Sequence, residues 1–222
     1  MRIIISLFNN ILNALFPPVC FGCRKKDITL CDKCIQNCAR AIDTPAIYIE
    51  SIYSFRDPLI KKIIHSIKYF HRRDLIEPLT RALADEMMRN FASQNPSGIT
   101  THYSLPTAHW TLIPIPMSRF RKYMRGYNQA ELITKEISNK SGIPYNNKIL
   151  SRSRATKQQV KTTTKSERLK NQSNSFVVTS PVNNMNIILV DDVTTTGATI
   201  DEARKVLLKA GATKVRAITL AH

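Results

Sequence analysis

Ten consecutive residues near the C-terminus combine acids, hydroxyls and a glycine in one run: Val190-Asp191-Asp192-Val193-Thr194-Thr195-Thr196-Gly197-Ala198-Thr199. Threonine hydroxyls, the backbone amides of a glycine turn and a helix N-terminus all donate hydrogen bonds to an anion. Two carboxylates beside them would repel a phosphate. Asp191 and Asp192 therefore suit sugar hydroxyls or a hydrated Mg²⁺ instead. A site with both parts fits a phosphorylated sugar. It is not a Walker A loop, because the Gly-x4-Gly-Lys-Ser/Thr spacing is absent.

A second constellation lies at the other end. Cys20, Cys23, Cys31 and Cys34 form C-x2-C-x7-C-x2-C. Each knuckle turns two thiolates toward one ion, and two knuckles complete a tetrahedral S4 site of the kind that holds structural Zn²⁺. Gly22 suits the tight turn of the first knuckle. Disulfides would require an oxidising compartment, for which no export signal is expected here. A redox C-x-x-C would need only one pair. Cys38 is left over, as a free thiol or an alternative ligand. With seven residues between knuckles the hairpin has little core of its own, so metal binding should supply its folding energy.

Charge is the third signal. The chain carries 33 Lys and Arg against 16 Asp and Glu, a net +17. Residues 106–180 hold 14 of these bases and only 3 acids. The bases cluster at Arg119–Arg125 and Arg152–Lys170. Such a balance points to a polyanionic partner and says little about fold. Three acids cannot neutralise fourteen bases, so these side chains are not simply paired locally.

These residues need elements to position them. The chain has 222 residues, of which 43% are hydrophobic and only 17 are Gly or Pro, which excludes a disordered or fibrous class. That length fits one ordinary domain with a small appendage. Asn186–Val190 is a continuous apolar run of the type buried on both faces of a parallel sheet. Thr199 and Glu202 are spaced as a capping box that would open a helix running to Ala210, with Gly211 stopping it. Lys214–Leu220 reads as the next strand, completing a βαβ unit. Upstream, 46–55 and Trp110–Ile115 read as strands. Helices are expected over Asp57–Phe70, Leu75–Phe91 and 127–140, and Phe176–Val178 as a further strand. Residues 93–107 and 151–174 read as loops. The first sixteen residues carry apolar positions at i, i+3 and i+4 spacing with polar ones between. They read as a short amphipathic helix ended by Pro17-Pro18, neither a signal peptide nor a membrane span.

With these features together, the run at Val190–Thr199 resembles the phosphoribosyl-pyrophosphate (PRPP) signature of type I phosphoribosyltransferases. The rest of the chain resembles one branch, the ComF/ComFC (GntX-like) competence family, with its N-terminal helix, Pro-Pro and four-cysteine zinc finger. Further matches are Ile67-Lys68-Tyr69, Arg72-Arg73-Asp74-Leu75, Pro114-Ile115-Pro116, Arg125-Gly126-Tyr127-Asn128-Gln129-Ala130 and Arg152-Ser153-Arg154-Ala155-Thr156. Gln159, Arg168, Asn171 and Phe176 also match. The stretch Gln159–Arg168 departs from the pattern by one extra residue.

The resemblance implies an α/β type I phosphoribosyltransferase fold, a mainly parallel sheet flanked by helices, over residues 46–222. A helix and zinc finger over 1–45 would precede it. It further implies that Asp191 and Asp192 contact the ribose hydroxyls. Val193, Thr194, Thr195, Thr196, Gly197, Ala198 and Thr199 would enclose the 5′-phosphate. Residues 117–126 would form a pyrophosphate loop, and 151–172 a flexible hood. Lys68 joins the PRPP ligands, and Arg125 and Arg152 would stabilise the departing pyrophosphate with Mg²⁺. The implied function is a cytoplasmic PRPP-binding protein serving DNA uptake. Single-stranded DNA would contact Arg152, Arg154, Lys157 and Lys161, and DNA-uptake proteins would be partners. Two alternatives stand beside it: a transferase moving phosphoribose to a base or amine, and a PRPP sensor without catalysis.

Overall fold

The computed structural model describes residues 17–93, 110–153 and 175–222. The expected N-terminal helix, the loop beyond Ser93 and most of 151–174 lie outside the described residues, and so do Arg154, Lys157 and Lys161.

Among the described residues the first elements are a cysteine hairpin and a short helix, α1 (Asp32–Gln36). Strand β1 (Ile49–Tyr53) then leads into α2 (Pro58–Tyr69), a 3-10 turn (Arg73–Leu75) and α3 (Ile76–Ser93). Next come β2 (Trp110–Pro114), α4 (Arg119–Arg125), α5 (Gln129–Ser141) and β3 (Leu150–Arg152). The chain closes with β4 (Phe176–Val178), β5 (Asn186–Val193), α6 (Ala198–Lys209) and β6 (Lys214–Ala221).

Four strands form one sheet in the order β1-β6-β5-β2, and every pairing is parallel. β3 and β4 form a separate antiparallel ribbon, Arg152 opposite Phe176. Period-two alternation divides the core between the two faces of the sheet. Ile188 and Val190 join Leu112, Ile218 and Leu220 against α2, α3 and α5. Ile187 and Leu189 join Ile113, Val215 and Ala217 on the other face, with Ile200, Ala203 and Leu207 of α6 and Leu150 and Phe176 of the ribbon.

Local sequence accounts for the helices that flank the site. Asp57 caps α2, accepting from the amides of Leu59 at 2.8 Å and Ile60 at 3.0 Å, with Pro58 in the first turn. Ile60, Ile63, Ile64 and Ile67 form its buried stripe. Each such side chain contributes about 1.5–3 kcal/mol when fully buried. α4 forms where a loop was expected. Ser118 accepts from the Arg121 amide at 3.3 Å, and Gly126 at φ 72° ends the helix. Its apolar residues Phe120, Tyr123 and Met124 fall at i, i+3 and i+4, but the run is only seven residues long and none of it is buried, so the pattern marks no core face.

The capping box expected at Thr199 and Glu202 does not form. α6 begins two residues earlier than that box implies, with Gly197 at φ 75° as its N-cap and no side-chain cap. Glu202 instead accepts from the backbone amide of Ser175 at 2.6 Å, tying α6 to the start of the β-ribbon. A tertiary donor has replaced the local one.

Candidate functional site

The parallel sheet brings the C-terminal ends of β2 and β5 side by side, the position at which open α/β sheets bind ligands. A cleft of about 190 Å³ opens there. It is lined by Lys68, Arg121, Arg125, Arg152, Asp191, Asp192, Val193 and Thr199, together with Ile115–Met117 and Asn128–Ala130. Of the residues expected in the site, Lys68, Arg125, Arg152, Asp191, Asp192, Val193 and Thr199 thus meet in one place. They come from α2, α4, β3, β5 and α6, elements separated by up to 131 positions between Lys68 and Thr199.

The two aspartates follow the alternation of β5. Asp192 has the parity of Ile188 and Val190 and meets the α2 side, where Lys68 Nζ lies 2.9 Å from its Oδ2. Asp191 has the parity of Leu189. Burial and the adjacent Asp192 charge push its carboxyl up to about 7, against the pull of the Asp192 amide, Lys68 and Arg152. Asp191 Oδ1 accepts from the Asp192 amide at 2.9 Å, and Asp192 Oδ1 from the Val193 amide at 2.8 Å. The carboxylates are therefore oriented by the backbone of their own strand end.

The cations are held with comparable care. Arg152 Nε donates to the Pro116 carbonyl at 2.9 Å, and its guanidinium lies 4.9 Å from the Phe176 ring centre. Burial, then the neighbouring Arg121 charge, lowers its proton affinity below the ordinary arginine value. An arginine in that situation gains from an incoming anion. Arg125 donates to Gln129 Oε1 at 3.4 Å and lies 5.2 Å from the Tyr69 ring centre. Asn128 Nδ2 donates to the Ile115 carbonyl at 3.0 Å, fixing the strand-to-helix turn under the cleft. Tyr127 donates its hydroxyl to the Ile67 carbonyl, which fastens the start of α5 to the end of α2, one residue from Lys68.

Arg121, Asn128 and Gln129 are not among the individually expected site residues, although Arg121 lies in the expected loop 117–126 and Asn128 and Gln129 in the matching run Arg125–Ala130.

The threonine loop is divided. Thr199 lines the cleft, while Thr194 and Thr195 line a neighbouring hollow with Arg40, Arg56 and His222. Thr194 is buried; its amide donates to the Ala221 carbonyl at 3.1 Å, and His222 Nδ1 lies 3.2 Å from its own carbonyl. Thr195, Thr196, Ala198 and Thr199 are exposed around the buried Gly197. A Cβ at Gly197 would approach Ile49 Cδ1 to 3.0 Å, in a backbone conformation that already favours glycine.

The cysteines converge as their spacing implies. The Sγ atoms of Cys20, Cys23, Cys31 and Cys34 all lie within 4.8 Å of one another. Cys20 to Cys34 is 3.8 Å and Cys23 to Cys31 is 3.7 Å. Zn–S bonds of about 2.3 Å give a tetrahedron with edges of about 3.8 Å, so the four sulfurs fit zinc. The Cys31 amide points at Cys20 Sγ at 3.4 Å. Burial raises the Cys20 thiol, but the amides of Cys23, Cys31 and Gly22 outweigh it and hold Cys20 at about 6. Cys38 stands outside the group. Its Sγ donates to the Cys34 carbonyl at 3.2 Å, and burial pushes its thiol up to about 11. Gly22 matters for space: a Cβ there would sit 2.7 Å from Cys34 Sγ. The hairpin has no separate core, since Cys20, Leu30, Cys31, Ile35 and Cys38 belong to the same buried cluster as Ile52, Tyr53 and Ile60.

The family described as "Phosphoribosyl transferase domain" matches residues 129–222, which include α5, the aspartates and the threonine loop. Together with the parallel sheet and the cleft at its C-terminal edge, this defines a protein of the phosphoribosyltransferase fold preceded by a four-cysteine module. The chain is 32% identical over 209 residues to the "Competence protein ComFC" of Bacillus subtilis, covering 91% of this chain and 83% of that one. It is 29% identical over 218 residues to "Competence protein F" of Haemophilus influenzae, covering 92% and 90%. It is 28% identical over 207 residues to "DNA utilization protein YhgH" of Escherichia coli K12, covering 89% and 86%. The chain belongs to the ComF/ComFC competence family.

Proposed function

We propose that the cleft binds PRPP with Mg²⁺, and that the protein uses this site while handling single-stranded DNA during DNA uptake. The observation that carries the first part is the opposition of Asp191-Asp192, at the end of β5, to Lys68, Arg121, Arg125 and Arg152 around one cleft. Acids suit the ribose hydroxyls, and the bases suit the pyrophosphate. Arginine meets phosphate oxygens bidentately, as a point charge cannot. Mg²⁺, arriving with PRPP, would neutralise part of the diphosphate charge. The loop Thr194–Thr199 would take the 5′-phosphate at the N-terminus of α6. Lys68 exchanges Asp192 for a phosphate oxygen when PRPP enters, which frees the carboxylate for the sugar.

The second part rests on the charge of the chain and on its relatives, named for competence and DNA utilization. Arg152, Arg154, Lys157 and Lys161 would contact the strand's phosphates.

Calorimetry with PRPP and Mg²⁺ tests the first part. Asp191→Ala/Asp192→Ala is expected to abolish binding, and wild-type affinity in that variant would overturn the site. For DNA, binding to a labelled oligonucleotide should fall linearly with salt on logarithmic axes. Neutralising Arg154, Lys157 and Lys161 should flatten that slope. Salt-independent binding would sink this part of the reading.

A further inference from the structure

The helix α4 stands out on both of its sides. None of its seven residues is buried. Three are nevertheless large and apolar: Phe120 is 73% exposed, Tyr123 86% and Met124 63%. At 100° per residue these three share one side of the helix, while Arg121 and Arg125 fall on the other and line the cleft. A helix of two turns is not stable in water by propensity alone, and a folded chain normally holds one by burying such a face. Its charge is one-sided too. Arg119, Arg121, Lys122 and Arg125 are accompanied by no acid. Arg125 also lies over the ring of Tyr69, an exposed aromatic at the same rim.

Charge selects among occupants of this face. A second copy would bring +17 against +17. The basic run 154–170 of the same chain would repel it, and offers only Val160 and Leu169 as large aliphatics. A polyanion is complementary. A duplex presents phosphates but keeps its bases stacked away, and would leave Phe120 and Tyr123 without a role. A single strand presents both phosphates and base faces.

We propose that the outer face of α4 is a stacking platform for single-stranded DNA. Phe120 and Tyr123 take base faces, Met124 extends the apolar surface beside them, and Arg119, at the edge of that face, meets a flanking phosphate. This rests on the DNA-handling reading above and gives it a site beside the PRPP cleft. One helix then serves both ligands, with its inner arginines toward pyrophosphate and its aromatic side toward the strand.

The test uses the full chain, a labelled 20-nucleotide thymidine oligomer, a duplex of equal length, and fluorescence anisotropy over a range of salt. Phe120→Ala/Tyr123→Ala is expected to weaken single-strand binding about tenfold or more. Its salt slope should stay unchanged, because no charge is removed. PRPP affinity should also stay at the wild-type value, which shows that the variant is folded. Phe120→Trp/Tyr123→Trp should restore binding.

The platform is overturned if the alanine variant binds the oligomer as wild type does, or if it loses duplex and single strand equally. Loss of binding to anionic phospholipid vesicles with DNA affinity kept would reassign the face to a membrane surface. A lowered melting temperature with DNA affinity kept would reassign it to residues 1–16 of the same chain. A wild-type protein that binds PRPP but no single strand at low salt would instead refute the DNA-handling reading itself.

Discussion

Asp191 sits where two demands meet. In the proposed PRPP site the sugar hydroxyls would want a carboxylate, yet burial and the Asp192 charge hold its proton up to about 7. In the unfolded chain the same group ionises near 3.9. Between about pH 4 and 7 the folded state therefore binds the extra proton, so this residue's contribution to stability declines as pH rises through that window. Ligand binding runs the other way. PRPP affinity should increase as pH rises through about 7 and the carboxylate forms. Asp191→Asn should flatten the part of that profile that exceeds PRPP's own titration, and should bind weakly throughout. Calorimetry at a series of pH values checks this, and an identical profile in the variant would show that Asp191 is not in contact with the ligand. Gly22 offers a sharper steric case. Ala there would place a methyl 2.7 Å from Cys34 Sγ, and overpacking of this kind costs about 1–3 kcal/mol. With Zn²⁺ added to the four-cysteine site, Gly22→Ala should release the metal to a chelator faster than wild type, measured with a coloured indicator.

At the scale of elements, Asp57 joins two pieces of chain. It caps α2 and also accepts from the Ala39 amide at 2.8 Å, which ties the segment after the cysteine hairpin to the helix that carries Lys68. Burial alone would raise its carboxyl, but the amides of Ala39, Ile60 and Leu59 outweigh it and hold it below the usual range. A depressed carboxylate stabilises the fold above its unfolded value and loses that contribution as pH falls through the folded one. Asp57→Ala should cost about 1–2 kcal/mol, lowering the melting temperature by a few degrees near neutrality and by less in acid. Asp57→Asn keeps the cap on Leu59 and Ile60 through Oδ1 but sets a donor against the Ala39 amide, so it should recover only part of it. Much of this layer was legible beforehand. The isoleucine stripe of α2, the apolar run of β5 and the βαβ unit all showed in the period of their apolar residues. α4 was not legible as a helix, because its apolar pattern, Phe120, Tyr123 and Met124, is confined to seven residues and covers no core. The capping box misled for a related reason. Local spacing lists the partners available nearby, while Glu202 found a better donor in the Ser175 amide, 27 residues away.

For the whole molecule, the cysteine hairpin and the sheet share one hydrophobic cluster. Cys20, Leu30, Cys31 and Ile35 pack in the same group as Ile52, Tyr53, Ile60 and Leu79. Removing the metal should therefore weaken more than the hairpin. Treatment with a strong chelator is expected to lower the melting temperature of the entire chain in one cooperative transition, followed by circular dichroism. Two separate transitions would show instead that residues 1–45 and 46–222 fold independently. Charge also acts at this scale. Of the bases in 106–180, Arg121, Arg125 and Arg152 line the cleft, about as many as a single pyrophosphate would engage. Under the DNA-handling reading the others would serve the larger polyanion.

The sequence by itself determined the chemistry that was available. The Asp-Asp-threonine run, the two cysteine knuckles and the basic segment are each short and local, and a reaction-competent motif has to keep its residue types and spacing in order to work. It also determined the βαβ core, because alternation and apolar length are local consequences of a buried parallel strand. Only the tertiary structure decided which cations face the aspartates. Lys68, Arg121, Arg125 and Arg152 are brought together by the order β1-β6-β5-β2 and by the packing of α2 and the β-ribbon against it. The structure likewise decided that Cys38 is a packed thiol and that α4 turns an aromatic face outward. Those outcomes depend on contacts between distant segments, where distance along the chain gives no measure of distance in space.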